Sequence, residues 1–228
     1  MMMTPTDPEL LATAEDFAGD IADLLDCTVA DAAPVRAQVS NDRIVVGTVR
    51  EDGGITSVPL KVQGEYRLGL RLHFQCQWDF ARRFLAVHSS AMALTLPRWR
   101  EPLIRFDYLE SHTWSPAHVQ IHAESSALGW LHALTGTSKP PKVQELHIPV
   151  GGKRMRPSVE DVVEFAIKDL AVDAKDGAHQ RIEEGRSRWR RRQVLAAIRD
   201  VVKDDPISAP AELHQQIDQA VADVGEHG

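Results

Sequence analysis

The chain has 228 residues, 43% of them hydrophobic, and a net charge of -7. That length and apolar content allow a full core, as one domain or as one domain with a small helical appendage, and argue against a disordered chain. Cys27 and Cys76 form no CxxC or Cys/His pattern, the N-terminus MMMTPTDPEL lacks the basic and apolar regions of a secretory signal, and no apolar run approaches the roughly 20 residues of a membrane span. A soluble protein of the reducing cytoplasm is expected, with no disulfide framework and no zinc finger.

The first predicted element is a helix, with Thr6 as N-cap, Pro8 in the first turn and Glu9 at the capping-box position. Leu10, Leu11, Ala14, Phe17, Ala18, Ile21, Leu24 and Leu25 recur at helical spacing, which gives one apolar stripe and one acidic face. Residues 27–41, with Pro34, read as a connection. Residues 43–50 predict a short strand, and EDGG at 51–54 supplies a turn that feeds a hairpin into residues 55–62.

The clearest periodicity follows. Leu68, Leu70, Leu72, Phe74 and Cys76 alternate with Arg71, His73, Gln75 and Gln77, which predicts a strand with one core face and one polar, partly cationic face. Residues 79–87, then residues 90–96 after an HSS turn, read as its successors, although ARRFLAV fits strand and helix alike. Pro97 and Pro102 bracket a loop that holds Trp99. Ile104, Phe106 and Tyr108 then alternate with Arg105 and Asp107. A further strand turns Val119 and Ile121 inward and His118, Gln120 and His122 outward.

Residues 125–135 predict a short helix ended by Gly136. A last strand alternates Leu146 and Ile148 with Glu145 and His147, and Pro149 closes it. Gly151 and Gly152 then turn the chain and present Lys153, Arg154 and Arg156. Ser158 caps a helix with the stripe Val159, Val162, Val163, Ala166, Ile167 and Leu170. After a break at 173–177, residues 178–203 form a long helix in which Glu183 and Glu184 precede Arg186, Arg188, Trp189, Arg190, Arg191 and Arg192; an amphipathic helix over 210–224 ends the pattern. The fold class that results is α+β: an antiparallel meander of about six to eight strands packed with an N-terminal helix and C-terminal helices. Residues 1–172 form the α+β domain, and residues 173–228 a C-terminal helical extension.

Charge is segregated along the chain. Residues 1–33 and 204–228 hold 14 of the 33 acids and none of the 26 Lys and Arg, so the body carries an excess of seven positive charges. Such a body attracts polyanions, or the acidic ends fold back upon it. Neighbouring strands would gather Arg71, His73, Gln75, Arg105, Asp107, His118, Gln120, His122 and His147 on one face. This face is rich in His, Gln and Arg, where a merely solvated face is usually Lys, Glu and Thr; for any single histidine, a satisfied structural role is the competing reading.

Two histidines beside a cationic cradle can act as general base and general acid on an RNA phosphodiester, with arginine on the charge that develops at phosphorus. His122 and His147 form the preferred pair, with His118 as substitute. Lys153, Arg154 and Arg156, at a glycine turn before a helix N-terminus, are the phosphate cradle, and Arg105, Asp107 and Gln120 support the site. A tight turn with solvated bases is the alternative for GGKRMRPS. Arg188, Trp189, Arg190, Arg191 and Arg192 can bind a nucleic-acid backbone, with the indole for stacking, or can pair with the acidic first helix. A metal site on His118, His122 and His147, with Asp107 as carboxylate, is disfavoured, because i and i+4 on a strand lie about 13 Å apart. No metal and no cofactor is expected.

The strings LHIPVGGKRMRPSVEDVVEFAIKDL, IEEGRSRWRRRQ and RLHFQCQWDFARRFLAVHSSAMALTLP resemble a family of uncharacterised proteins from high-GC bacteria, a resemblance that spans most of the chain and implies no activity. Over residues 103–170 the order of parts is similar to TumE-type toxins of toxin–antitoxin pairs. The similarity rests on Arg105-Phe106-Asp107 on a strand, His118 and His122 spaced on the next, and a helix after a basic turn. Tyr108 stands where that family has Asn, and its histidine pair is tighter. The resemblance implies an RNA-directed toxin with an antitoxin partner. The alternative from the residues is a non-catalytic protein- or nucleic-acid-binding or assembly module with a basic body and acidic ends.

Overall fold

A computed structural model describes residues 7–40, 43–50, 52–79, 82, 84–99, 101–111, 115–122, 148–150, 154–204 and 219. Helix α1 (Pro8–Thr28) is capped by Asp7, one residue later than the expected Thr6; its carboxylate accepts the N–H groups of Glu9 and Leu10. A carboxylate meets the positive end of the helix better than a neutral hydroxyl does. Asp7 also accepts the Trp78 indole N–H and pairs with Arg82, which ties the helix start to the sheet. Ala14, Ala18, Ile21, Leu24 and Leu25 of the predicted stripe are buried.

The strands are β1 (Val35–Ser40), β2 (Arg43–Thr48), β3 (Val58–Val62), β4 (Glu65–Trp78), β5 (Leu85–Thr95), β6 (Pro102–Leu109), β7 (Ala117–Ile121) and β8 (Ile148–Pro149). They form one sheet in the order β1-β2-β4-β5-β6-β7-β8, with β3 paired to β4, and every pairing is antiparallel. The expected α+β meander is therefore the fold. Long β4 is its backbone: β5 pairs along one edge, while β2 takes residues 73–76 and β3 residues 65–70 of the other.

Three sequence expectations are corrected. The connection placed at 27–41 contains the last turn of α1 and the whole of β1, an edge strand whose Val39 remains 44% exposed and so left little pattern. The hairpin drawn from β2 into residues 55–62 closes one bridge, Val49 to Ile55, after which β3 pairs with β4 instead. The turn that fixes β3 on β4 is Gln63-Gly64, both at positive φ, as a two-residue hairpin of right twist requires. The Asp173 carboxylate accepts both of their N–H groups and offsets the cost of Gln63 in that region. The HSS turn is not a turn: Gln75 pairs with Ser89 and Cys76 with Val87, so His88 is the extra residue of a bulge inside a continuous β5. Ile121 does face inward as expected, paired with Ile104, but at the end of β7 it remains 38% exposed.

One sheet face is apolar. Leu68, Leu70, Leu72, Phe74 and Cys76 are all buried on it, as their alternation predicts, and burial pushes the Cys76 thiol up to about 12. Phe17 of α1 meets Phe74 edge-on, and Phe106 of β6 meets Phe165 of α2 (Val159–Leu170) likewise. Ser158 and Asp161 close a reciprocal capping box at the start of α2, and Ala171 ends it in the left-handed region. Helix α3 (Ala178–Asp204) contributes Ile182 to the same core and packs on α1 and α2. Arg186 on α3 donates to Asp161 and Glu164 of α2 and to Glu183 of its own helix. The acids it meets thus belong to α2 and to its own helix. Among the described residues no helix is long and apolar enough to cross a membrane. The expected helices at 125–135 and 210–224 lie outside the described residues apart from Gln219, as do Glu145 and Leu146 of the last strand.

Candidate functional site

The register decides which outward residues meet. His73 of β4 pairs with Ala91, Ala91 with Asp107, and Asp107 with His118. One step along the strands, Arg71 pairs with Ala93, Ala93 with Arg105, and Arg105 with Gln120. Paired residues share a face. Arg71, His73, Gln75, Arg105, Asp107, His118 and Gln120 therefore occupy the polar face, and His122, two residues beyond Gln120, follows the same alternation. The face is open over β4, where Arg71 and His73 are exposed, and more enclosed over β6 and β7.

The tightest cluster on it is Arg105, Asp107 and His118. The Arg105 guanidinium lies 2.9 Å from the Asp107 carboxylate. His118 Nε2 lies 3.9 Å from the same carboxylate, and both side chains are largely buried, at 12% and 14% exposure. His118 Nδ1 sits 3.2 Å from the Ser115 carbonyl oxygen. A carbonyl can only accept, so Nδ1 carries a hydrogen and the ring's proton chemistry runs through Nε2. Ser115 had no signal in the sequence, because its part is played by a backbone atom.

His122 is placed differently. Both of its ring nitrogens are buried without a hydrogen-bond partner, and Nδ1 lies 3.8 Å from the Glu101 carboxylate. It lies four positions beyond His118, about 13 Å at the usual strand rise, so the two do not converge on one phosphate. His147 and Lys153 lie outside the described residues.

Arg156 stacks on the Tyr108 ring, its guanidinium carbon 4.0 Å from the ring centroid. Tyr108 belongs to the row of Ile104 and Phe106, so this contact is on the core side of the sheet, away from His118. Burial lowers the Arg156 pKa from its usual value and raises that of Tyr108. Arg154 acts electrostatically on both groups. The expected phosphate cradle and the histidine face are thus not brought together by Arg156. On α3, Arg188, Arg190, Arg191 and Arg192 are exposed and Trp189 is half-buried; Arg190 approaches Asp161 at 4.0 Å.

Sequence reasoning passed over a cleft at the other end of the polar face. Ser40, Arg43, Val45, His73 and Gln75 line about 310 Å³, and Arg43 donates to the Gln75 side-chain oxygen at 2.9 Å. The signal existed in the alternation of β4, but β1 was not recognised as its neighbour's partner. Desolvation by the surrounding sheet lowers the His73 pKa from the usual imidazole value. Among the described residues no group of three or more His, Cys, Asp or Glu side chains is placed to hold a metal ion.

Fold and site together define a class: an antiparallel sheet backed by helices on its apolar face, with an arginine-, glutamine- and histidine-bearing face opposite. Beyond that class, no family model, no curated protein and no solved structure matches the chain.

Proposed function

We propose that this chain is a metal-independent ribonuclease of toxin type whose reacting centre is Arg105, Asp107 and His118. The observation that carries this reading is the cross-strand Asp107–His118 pair with Arg105 on the same carboxylate. In the reaction, His118 Nε2 takes the proton of an RNA 2′-OH. The 2′ oxygen then forms its bond to phosphorus, the bond from phosphorus to the 5′ oxygen breaks, and a 2′,3′-cyclic phosphate results. Asp107 stabilises the imidazolium, and Arg105 the charge on the phosphoryl oxygens. A second histidine protonates the leaving 5′ oxygen. His147 is our choice, since it stands two residues before Pro149, the β8 partner of His118.

The test is cleavage of labelled RNA in EDTA by wild type, His118→Ala, His147→Ala and Asp107→Asn. Cleavage in wild type that falls by about a hundredfold or more in His118→Ala supports the assignment. Equal cleavage in all four proteins removes it. A toxin further arrests growth when expressed without its antitoxin, and the histidine variants do not. The separation of His118 from His122 favours a second reading, RNA binding without cleavage; it predicts a wild type that binds RNA and leaves it intact.

A further inference from the structure

On the polar face, β5 contributes only Ser89, Ala91 and Ala93 between its bulge and Thr95. The strands on either side carry long side chains: Arg71, His73 and Gln75 on β4, and Arg105, Asp107 and Leu109 on β6. The result is a trough with a floor of serine and alanine and with walls that are polar except at Leu109. Its walls stand two strand spacings apart, about 10 Å, and its floor from Ser89 to Ala93 runs about 14 Å. The β6 wall carries Asp107 at its middle, opposite Ala91, with His118 on the next strand beyond it. At the Ala93 end the chain leaves β5 into a loop with exposed Arg98 and with Trp99 at 68% exposure.

We infer that the trough over β5 is the path of single-stranded RNA, laid along the strands. The inference rests on the ribonuclease reading above, which supplies the requirement for a 2′-OH, and it adds the strandedness of the substrate and its route. Charge complementarity selects the occupant. Arg71, on one wall, makes no ion pair among the described residues, and Arg105 holds the other. Asp107 is the one acid of the walls and is already paired with Arg105. A single backbone fits the width with its bases and phosphates open to the walls, whereas an A-form duplex, whose bases are paired inside and whose narrow major groove admits no side chains, offers the trough only its outer surface. Trp99 offers a stacking surface for a base that leaves the trough, as single-strand binders use aromatic side chains. With no Phe, Tyr or Trp among the described residues of the face itself, recognition runs through phosphates and the amides of Gln75 and Gln120, and sequence preference is weak.

The experiment measures anisotropy of labelled single-stranded RNA about 12 nucleotides long, the same RNA as a duplex, and single-stranded DNA of the same sequence. The proteins are His118→Ala, which leaves the RNA uncut, and the same protein with Ala91→Glu, Arg71→Glu, Trp99→Ala or Arg188→Glu, each checked for native circular dichroism, with cleavage followed in the corresponding single variants and in wild type. We expect single-stranded RNA to bind best, Ala91→Glu and Arg71→Glu to weaken it by about tenfold or more, Trp99→Ala by several-fold, and Arg188→Glu to leave it unchanged. Should Ala91→Glu misfold, Arg71→Glu, at an exposed position, carries the test. RNA binding or cleavage that persists in the trough variants and is lost in Arg188→Glu overturns the path while the ribonuclease reading stands. Duplex binding as tight as single-strand binding also overturns it. DNA bound as tightly as RNA keeps the route and overturns the assignment to RNA. Wild type that does not cleave RNA, together with a His118→Ala protein that does not bind it, sinks both proposals.

Discussion

His73 shows how one residue links site and stability. The sheet around it disfavours the charged ring, so its folded pKa lies below the 6.5 of the unfolded chain. Between those two values the unfolded state binds more protons, and stability therefore rises with pH through that window. Above 6.5 the contribution is fully present; as pH falls through the folded value it is lost. His73→Gln removes the titrating ring. We expect this variant to lose less stability than wild type when urea midpoints are compared at about pH 7.5 and 5.5. Equal losses in the two proteins would show that His73 is not the group that responds. Gly47, paired opposite His73, constrains the same spot differently: a Cβ there would lie 2.4 Å from the Leu72 carbonyl oxygen. Glycine lets β2 approach β4 at the cleft.

At the scale of elements, α2 and α3 are held by one cation. The Arg186 side chain is 7% exposed and contacts Asp161, Glu164 and Glu183. Asp161 also serves the capping box of α2, so the arginine bears on the helix start itself. Arg186→Ala leaves Asp161 and Glu164 close together without their shared cation. The expected cost is about 3 kcal/mol, from the usual penalty for breaking a buried pair. Chemical denaturation measures it, and a loss below about 1 kcal/mol would place the pairs with ordinary surface bridges. This role was half legible in the sequence. Glu183 lies three residues before Arg186, but Asp161 and Glu164 come from another helix, and local spacing cannot reveal them. The same division runs through the fold. The alternation of β4 is plain because one side of that strand is buried along its length. The edge position of β1 blurred its pattern, and the bulge at His88 imitated a turn. The polar face followed from alternation once the neighbours were known. The trough did not, because alanines on β5 carry no chemical signal until long side chains stand on both sides. Arg156 was misleading for a related reason: a glycine turn in the sequence does not say on which side of the sheet the chain returns.

For the whole molecule the question is which cationic surface meets a polyanion. Two candidates are separated by position: Arg43, Arg71 and Arg105 on the polar face, and Arg188, Arg190, Arg191 and Arg192 on α3. They are distinguishable without mutation, because the salt dependence of binding counts the phosphates neutralised. For a single strand the slope of log K against log salt is about −0.7 per contact, so three arginines on the face give a slope of about −2. Recruitment of the four on α3 as well brings it to about −5. Salt also screens the acidic stretches at 1–33 and 204–228, and their repulsion of RNA weakens as salt rises, which makes the observed slope shallower still. We therefore expect a value of about −2 or shallower for single-stranded RNA, and a change of about one when Arg71→Glu is measured in the same series. A slope near about −3 that collapses in Arg188→Glu and is unchanged in Arg71→Glu would move the binding surface to α3 and leave the polar sheet face as a wall of the fold.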